Sequence, residues 1–107
     1  MKIIIALVGL LSFVPLMQAA PTMVQVKFLS QGNGIDQPLY EQIHSLMSIE
    51  QEFGNITSII EVAPGEEGQL LCAGFSGLDH MQRVEKIASL LTRGSDGTTV
   101  TFAHHCP

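Results

Sequence analysis

The chain has 107 residues, with five Lys and Arg against ten Asp and Glu, a formal charge of −5, two cysteines and no tryptophan. A net acidic surface repels phosphate backbones and anionic lipid headgroups, which argues against a nucleic-acid or membrane-surface partner. The length suits one core and excludes a multidomain reading.

In chain order the first feature is a targeting segment. Lys2 precedes an apolar run from Ile3 to Leu11 that continues through Phe13, Val14, Leu16 and Met17, and the sequence then turns small and polar at Gln18-Ala19-Ala20. A basic residue, a short apolar stretch and a small-residue zone are the layout of a secretory signal. Cleavage after Ala19 is expected, since a cut after Ala20 would put Pro21 directly beyond the bond. This predicts a signal peptide over 1–19, removed on export to the periplasm or the outside, and one small domain over 20–107. No second apolar run approaches membrane length, so no membrane association is expected after cleavage. From Pro21 on, the basic residues are only Lys27, Arg83, Lys86 and Arg93, whereas all ten acids remain.

Met23 to Leu29 alternates as a strand, with Val24, Val26 and Phe28 on one face and Gln25 and Lys27 on the other. After the break at Ser30–Gly34, Asp36 is a plausible cap and Pro38 fits a first helical turn. Leu39, Ile43, Leu46 and Met47 form one helical stripe, closed by Gly54-Asn55. Ile56 to Ala63 is β-branched and strand-like, Pro64–Gly68 reads as a hairpin turn, and Gln69 to Phe75 as the returning strand. Ser76-Gly77-Leu78-Asp79 fits a capping box for a second helix with Leu78, Met81, Val84, Ala88 and Leu91 on one face. Thr98 to Ala103 alternates as the last strand, with Val100 and Phe102 inward.

The order β-α-β-β-α-β predicts an α+β domain: an antiparallel sheet with both helices on one face, burying every apolar stripe at once. This order resembles the ferredoxin-like superfold, which hosts many functions and so implies none. The expected core is Val24, Val26, Phe28, Ile43, Leu46, Met47, Met81, Val84, Leu91, Val100 and Phe102.

The densest set of coordinating groups is His104-His105-Cys106. Neighbours on a strand point to opposite faces, so the two imidazoles could share an ion only if the chain leaves the sheet at Ala103. Imidazoles with a thiolate suit copper or zinc. Cys72 and Cys106 are the only cysteines, and an even count in an exported chain predicts a disulfide between them. Next-but-one strands lie about 10 Å apart, too far for a bridge between strand centres. The bridge therefore requires the segment carrying Cys106 to cross the end of the sheet; a buried free Cys72 is the alternative.

Other motifs carry less. Gly74-Phe75-Ser76-Gly77 resembles a nucleophile elbow but has Leu78 in the fifth place, and Ser76, Asp79 and His80 on one helix start cannot hold a directed triad. Gly32-Asn33-Gly34 lacks the third glycine of a dinucleotide loop, with Gln37 in its place. Glu66-Glu67 alone does not make a calcium site. Asn55-Ile56-Thr57 is a glycosylation sequon in a eukaryotic secretory route. The resulting expectation is an exported, non-catalytic binding module with no cofactor and a protein partner. The alternative is a copper- or zinc-handling protein that uses His104, His105 and Cys106.

Overall fold

The computed structural model describes residues 22–30, 32, 34–62 and 68–106. The expected signal over 1–19 and its cleavage site, the body of the Pro64–Gly68 turn and the Glu66-Glu67 pair lie outside them. The elements are β1 (Met23–Leu29), α1 (Gln37–Glu52), β2 (Ile56–Val62), β3 (Gly68–Phe75), α2 (Leu78–Leu91) and β4 (Thr98–Ala103). The four strands form one antiparallel sheet in the order β2-β3-β1-β4. This is the ferredoxin-like α+β arrangement, as the element order predicts.

Local chemistry sets the joints. Asp36 caps α1 by accepting the Leu39 N–H at 3.3 Å, with a proline in the first turn. At the other end Gly54 takes φ +83°, and the Gly54 and Asn55 N–H groups donate to the carbonyls of Gln51 and Glu50. This glycine-closed turn satisfies two otherwise orphan carbonyls and sends the chain into β2. Gly68 opens β3 at φ +130°, where any Cβ would overlap the Phe28 carbonyl oxygen, so the hairpin return onto β1 depends on glycine there.

Residues paired directly across antiparallel strands share a face. Val24 pairs with Ala73 and Phe102, and Val26 with Leu71 and Val100, which defines the helix-covered side. There Val24, Val26, Phe28, Leu71 and Ala73 meet Leu39, Ile43 and Met47 of α1 and Met81, Val84 and Ala88 of α2, all buried. The Phe28 and Tyr40 rings meet edge-on at 5.1 Å. α1 packs toward β2 and α2 toward β4.

The expected core needs four adjustments. Leu46 and Val100 are half-buried. Phe102 is 43% exposed, because among the described residues β4 is an edge strand with no neighbour beyond it. Leu91 is 39% exposed, since the inward stripe Met81, Val84, Ala88 continues to Thr92. Thr92 tolerates burial because its hydroxyl donates to the Ser89 carbonyl at 3.2 Å.

The opposite face divides in two. Ile60 pairs with Cys72, and Val62 with Leu70, giving an apolar half over β2 and β3. Gln25, Lys27, Thr99 and Thr101 make the other half polar, as the sequence suggests.

Candidate functional site

Cys72 sits in the middle of β3 on the face away from the helices, yet it is fully buried. The chain leaves the ladder at Ala103, and residues 104–106 fold back past β1. The Cys106 sulfur lies 3.5 Å from the Met23 thioether, and the Cys72 and Cys106 α-carbons are 6.1 Å apart, at disulfide distance. The route meets the requirement that this segment cross the end of the sheet. His104 and His105 are both exposed. Pairing with Cys72 removes the Cys106 thiolate from the donor set that a copper or zinc site would need. Among the described residues no group of three or more His, Cys, Asp or Glu side chains is placed to hold a metal ion.

Ser76 does not cap α2. Gly77 occupies that position without a side-chain hydrogen bond, and the Ser76 hydroxyl instead donates to the carbonyls of Gly54 and Asn55 at 3.2 and 3.3 Å. The Ser76 N–H also reaches the Asn55 carbonyl at 3.1 Å. The serine therefore fastens the β3–α2 turn to the α1–β2 turn, a tertiary use that outweighs the local capping pattern. His80 turns toward Arg83, with Nδ1 3.4 Å from its guanidinium, and Ser76, Asp79 and His80 form no relay.

Next to that joint a polar network ties the helices together. Arg83 donates two hydrogen bonds to the Glu50 carboxylate, each 2.8 Å, and Asn55 Nδ2 donates a third at 2.8 Å. Glu50 is buried, and the Arg83 hydrogen bonds hold its pKa down to about 2 despite the opposing effect of burial. The Asn55 side chain of the sequon is thus already engaged, and a glycan on Nδ2 would compete with this contact. Pairing α1 with α2 through one bidentate fork is a structural role.

A second cluster was not legible as a motif. Tyr40 donates to Glu61 Oε1 at 2.9 Å, and His44 Nε2 stands 3.2 Å from Glu61 Oε2, with the Tyr40 and His44 rings stacked at 6.1 Å. Burial first, then the hydrogen bond and charge of Glu61, raise the Tyr40 pKa to about 12. The Tyr40 hydrogen bond, followed by that of His44, holds the Glu61 carboxyl below its usual range. An open cleft of about 410 Å³ runs past Tyr40, Glu41, His44, Ser45 and Glu61. A protonated phenol and an ionised carboxylate that serve each other fasten edge strand β2 to α1. The only hint in the sequence is the Tyr40/His44 spacing of one helical turn.

The remaining feature is apolar. Ile49, Phe53, Leu78, Leu90 and Leu91 are exposed at 51, 76, 51, 52 and 39%. All belong to the helices or, for Phe53, the residue closing α1, and they are five of the eight large apolar side chains exposed among the described residues. No helix among those residues is long and apolar enough to cross a membrane. Comparison with protein-family models, curated proteins and solved structures returned no match.

Proposed function

We propose that this protein is an exported, non-catalytic binding module whose contact surface is the outer side of its two helices. The observation that carries the reading is the exposed apolar set there, led by Phe53 at 76% exposure. Exposed apolar groups scattered singly are ordinary; what supports a contact surface is that Ile49 and Phe53, at the end of α1, stand at the same end of the layer as Leu78, which opens α2 beside them, and aromatic side chains dominate the energetics of such contacts. The disulfide-distance pair suits an oxidising compartment, which supports export together with the N-terminal run. The two polar clusters support the non-catalytic part, because each carboxylate is occupied by donors of its own chain.

The test is chemical cross-linking and affinity capture from the exported fraction, comparing the native chain with Phe53→Asp. A partner lost in the variant, with the melting temperature unchanged, supports the reading. Turnover of a substrate that survives Phe53→Asp but is abolished by His44→Ala or Glu61→Gln would replace it with an enzymatic one. Metal handling would require tight copper or zinc binding that depends on His104 and His105 after reduction of the cysteines.

A further inference from the structure

We infer that the open edge of β4 is a self-association site. Two copies pair β4 against β4, antiparallel about a two-fold axis that passes through Val100 perpendicular to the sheet, so that their sheets become one of twice the width. This edge is separate from the helical surface proposed above and stands or falls independently of it.

Among the described residues the sheet has two edges, β2 and β4, and they are built differently. An edge strand presents a row of unpaired N–H and C=O groups, which natural sheets blunt with bulges, charges or prolines. β2 is blunted: its register slips between Ile56 and Ser58, and it carries Glu61, held by Tyr40 and His44 of α1. β4 reads Thr-Thr-Val-Thr-Phe-Ala, without charge, proline or glycine, and keeps an unbroken register against β1. Residues 104–106 do not cover its edge, since they turn inward past β1 toward Cys72 on β3. Nor does α2 overhang it, because Phe102, on the helix-covered side, is 43% exposed.

The ladder itself tells which groups face outward. The Leu29 N–H donates to the Gly97 carbonyl at 2.8 Å, so these two residues form a hydrogen-bonded pair. Antiparallel pairs alternate between bonded and non-bonded. Thr99, Thr101 and Ala103 therefore bond to β1, whereas the N–H and C=O groups of Thr98, Val100 and Phe102 point out from the edge. Those three select the arrangement. With Val100 opposite Val100 of the second copy, and Thr98 opposite Phe102, every outward group is used, in about six hydrogen bonds. A shift of register leaves some of them facing residues outside the strand. In this register Thr99 stands opposite Thr101, a favourable cross-strand pair, and Phe102 gains cover from Thr98 and Val100 of the second copy. The antiparallel sense also brings the exposed Asp96, just before β4, toward the exposed His104 just past it, at both ends; a parallel pairing would set Asp96 beside Asp96. A two-fold uses both β4 edges and leaves the blunted β2 edges outermost, so assembly stops at the dimer.

The experiment is sedimentation of the purified protein across about 1–500 µM, with hydrogen exchange read at both ends of the range. The expected result is a monomer–dimer equilibrium in which the Thr98, Val100 and Phe102 amides slow at least about tenfold with concentration, while those of Thr99 and Thr101 are protected throughout. Val100→Pro removes an outward N–H and no bond to β1, so it should be folded and monomeric. Two charge variants sharpen this: Thr99→Lys with Thr101→Lys, and Thr99→Glu with Thr101→Glu. Each sets like charges opposite each other across the axis and should be monomeric alone; mixed one to one they should regain the dimer. Both positions are exposed, and circular dichroism melts check that the fold is kept. If Val100→Pro loses the fold, the charge variants carry the test. Phe53→Asp, on the helical layer, should leave the dimer intact, so failure of the helical reading does not touch this one. A native chain that stays monomeric overturns the inference, even if its β4 edge takes up a strand of another protein. A dimer that survives the charge variants, or is lost in a folded Phe53→Asp, overturns it too, because the interface then lies elsewhere.

Discussion

On one side of the sheet, Val24, Val26, Phe28, Leu71 and Ala73 are closed off by two helices through many apolar contacts. On the other side, the described residues place 104–106 across the sheet, joined at Cys72 by a single pair of sulfurs. The first closure is distributed: each side chain contributes a share, and loss of one leaves a cavity that its neighbours partly fill. The second is concentrated in one link and depends on redox state. One molecule thus holds its sheet by apolar burial on one face and by a covalent clamp on the other, and the two should fail differently.

The largest effect breaks the distributed side. Phe28 is 1% exposed and sits against Tyr40 beneath α1. Phe28→Ala should lower stability by about 3–5 kcal/mol, measured by urea denaturation, with or without reductant. A loss under about 1 kcal/mol would mean that the helix-covered face does not dominate the fold.

The concentrated side comes next. Cys72 and Cys106 are 34 residues apart in sequence, and closing a loop of that length restricts the unfolded chain by about 3–4 kcal/mol in the entropic model. A reducing agent should lower the melting temperature, and Cys106→Ala should reproduce the shift and make it insensitive to reductant. Hydrogen exchange sharpens the contrast. Reduction should release β4 amides such as Thr101 before those of β1, whereas Phe28→Ala should weaken both together. A melting temperature indifferent to reductant would show that the thiols are free in solution.

Between the helices the expected change is smaller. The Glu50 pKa, held at about 2 by Arg83, lies below its ordinary value of 4.5. A depressed carboxylate stabilises the fold above its unfolded value and loses that contribution as pH falls, here between about pH 5 and pH 2. Arg83→Ala should cost about 1–3 kcal/mol near neutrality, because it leaves a buried carboxylate with Asn55 as its remaining side-chain donor. It should also flatten the acid limb of the stability profile. A variant with the native acid limb would assign that limb to other carboxylates.

The element order, the strand faces and the α1 cap were legible because alternation and helical spacing are local signals, as Val24-Val26-Phe28 and Asp36-Pro38 show. The limits of that reading lie where a tertiary partner outbids a local one. Ser76 matches a capping box, yet its hydroxyl finds the Gly54 and Asn55 carbonyls on a turn some twenty residues earlier in the chain. Leu91 continues the apolar stripe on paper, but the helix has turned far enough by then that Thr92 takes the inward place. The approach of the two cysteines to disulfide distance was legible from their even count and the expected export, and the route across the sheet end from strand spacing. Glu50 with Arg83, and Glu61 with Tyr40 and His44, were not. These pairs are 33, 21 and 17 residues apart, and nothing in the local pattern of a carboxylate names its distant donor.

The finest probe of the helix-covered side is Tyr40, the chain's single tyrosine in a sequence without tryptophan, so its phenolate absorbance reports one site. Its pKa of about 12 has burial as the leading cause and Glu61 as the next. In the folded protein the absorbance should therefore rise near pH 12, well above the ordinary 10.0 of a free phenol. Glu61→Gln should remove the charge and weaken the hydrogen bond while leaving the contact with Phe28, so the midpoint should fall only part of the way. A complete return would mean that Glu61, not burial, sets the value. The same linkage fixes a sign. Between about pH 10 and pH 12 the unfolded chain ionises this phenol while the folded chain keeps its proton, so stability should decline with rising pH across that window. Glu61 is exposed, so Glu61→Gln near neutrality should move stability least of all the changes considered. A folded-state midpoint already at the free-phenol value would mean that the clasp between β2 and α1 stands open in solution, leaving that edge of the sheet held by its backbone ladder to β3 and its apolar side chains.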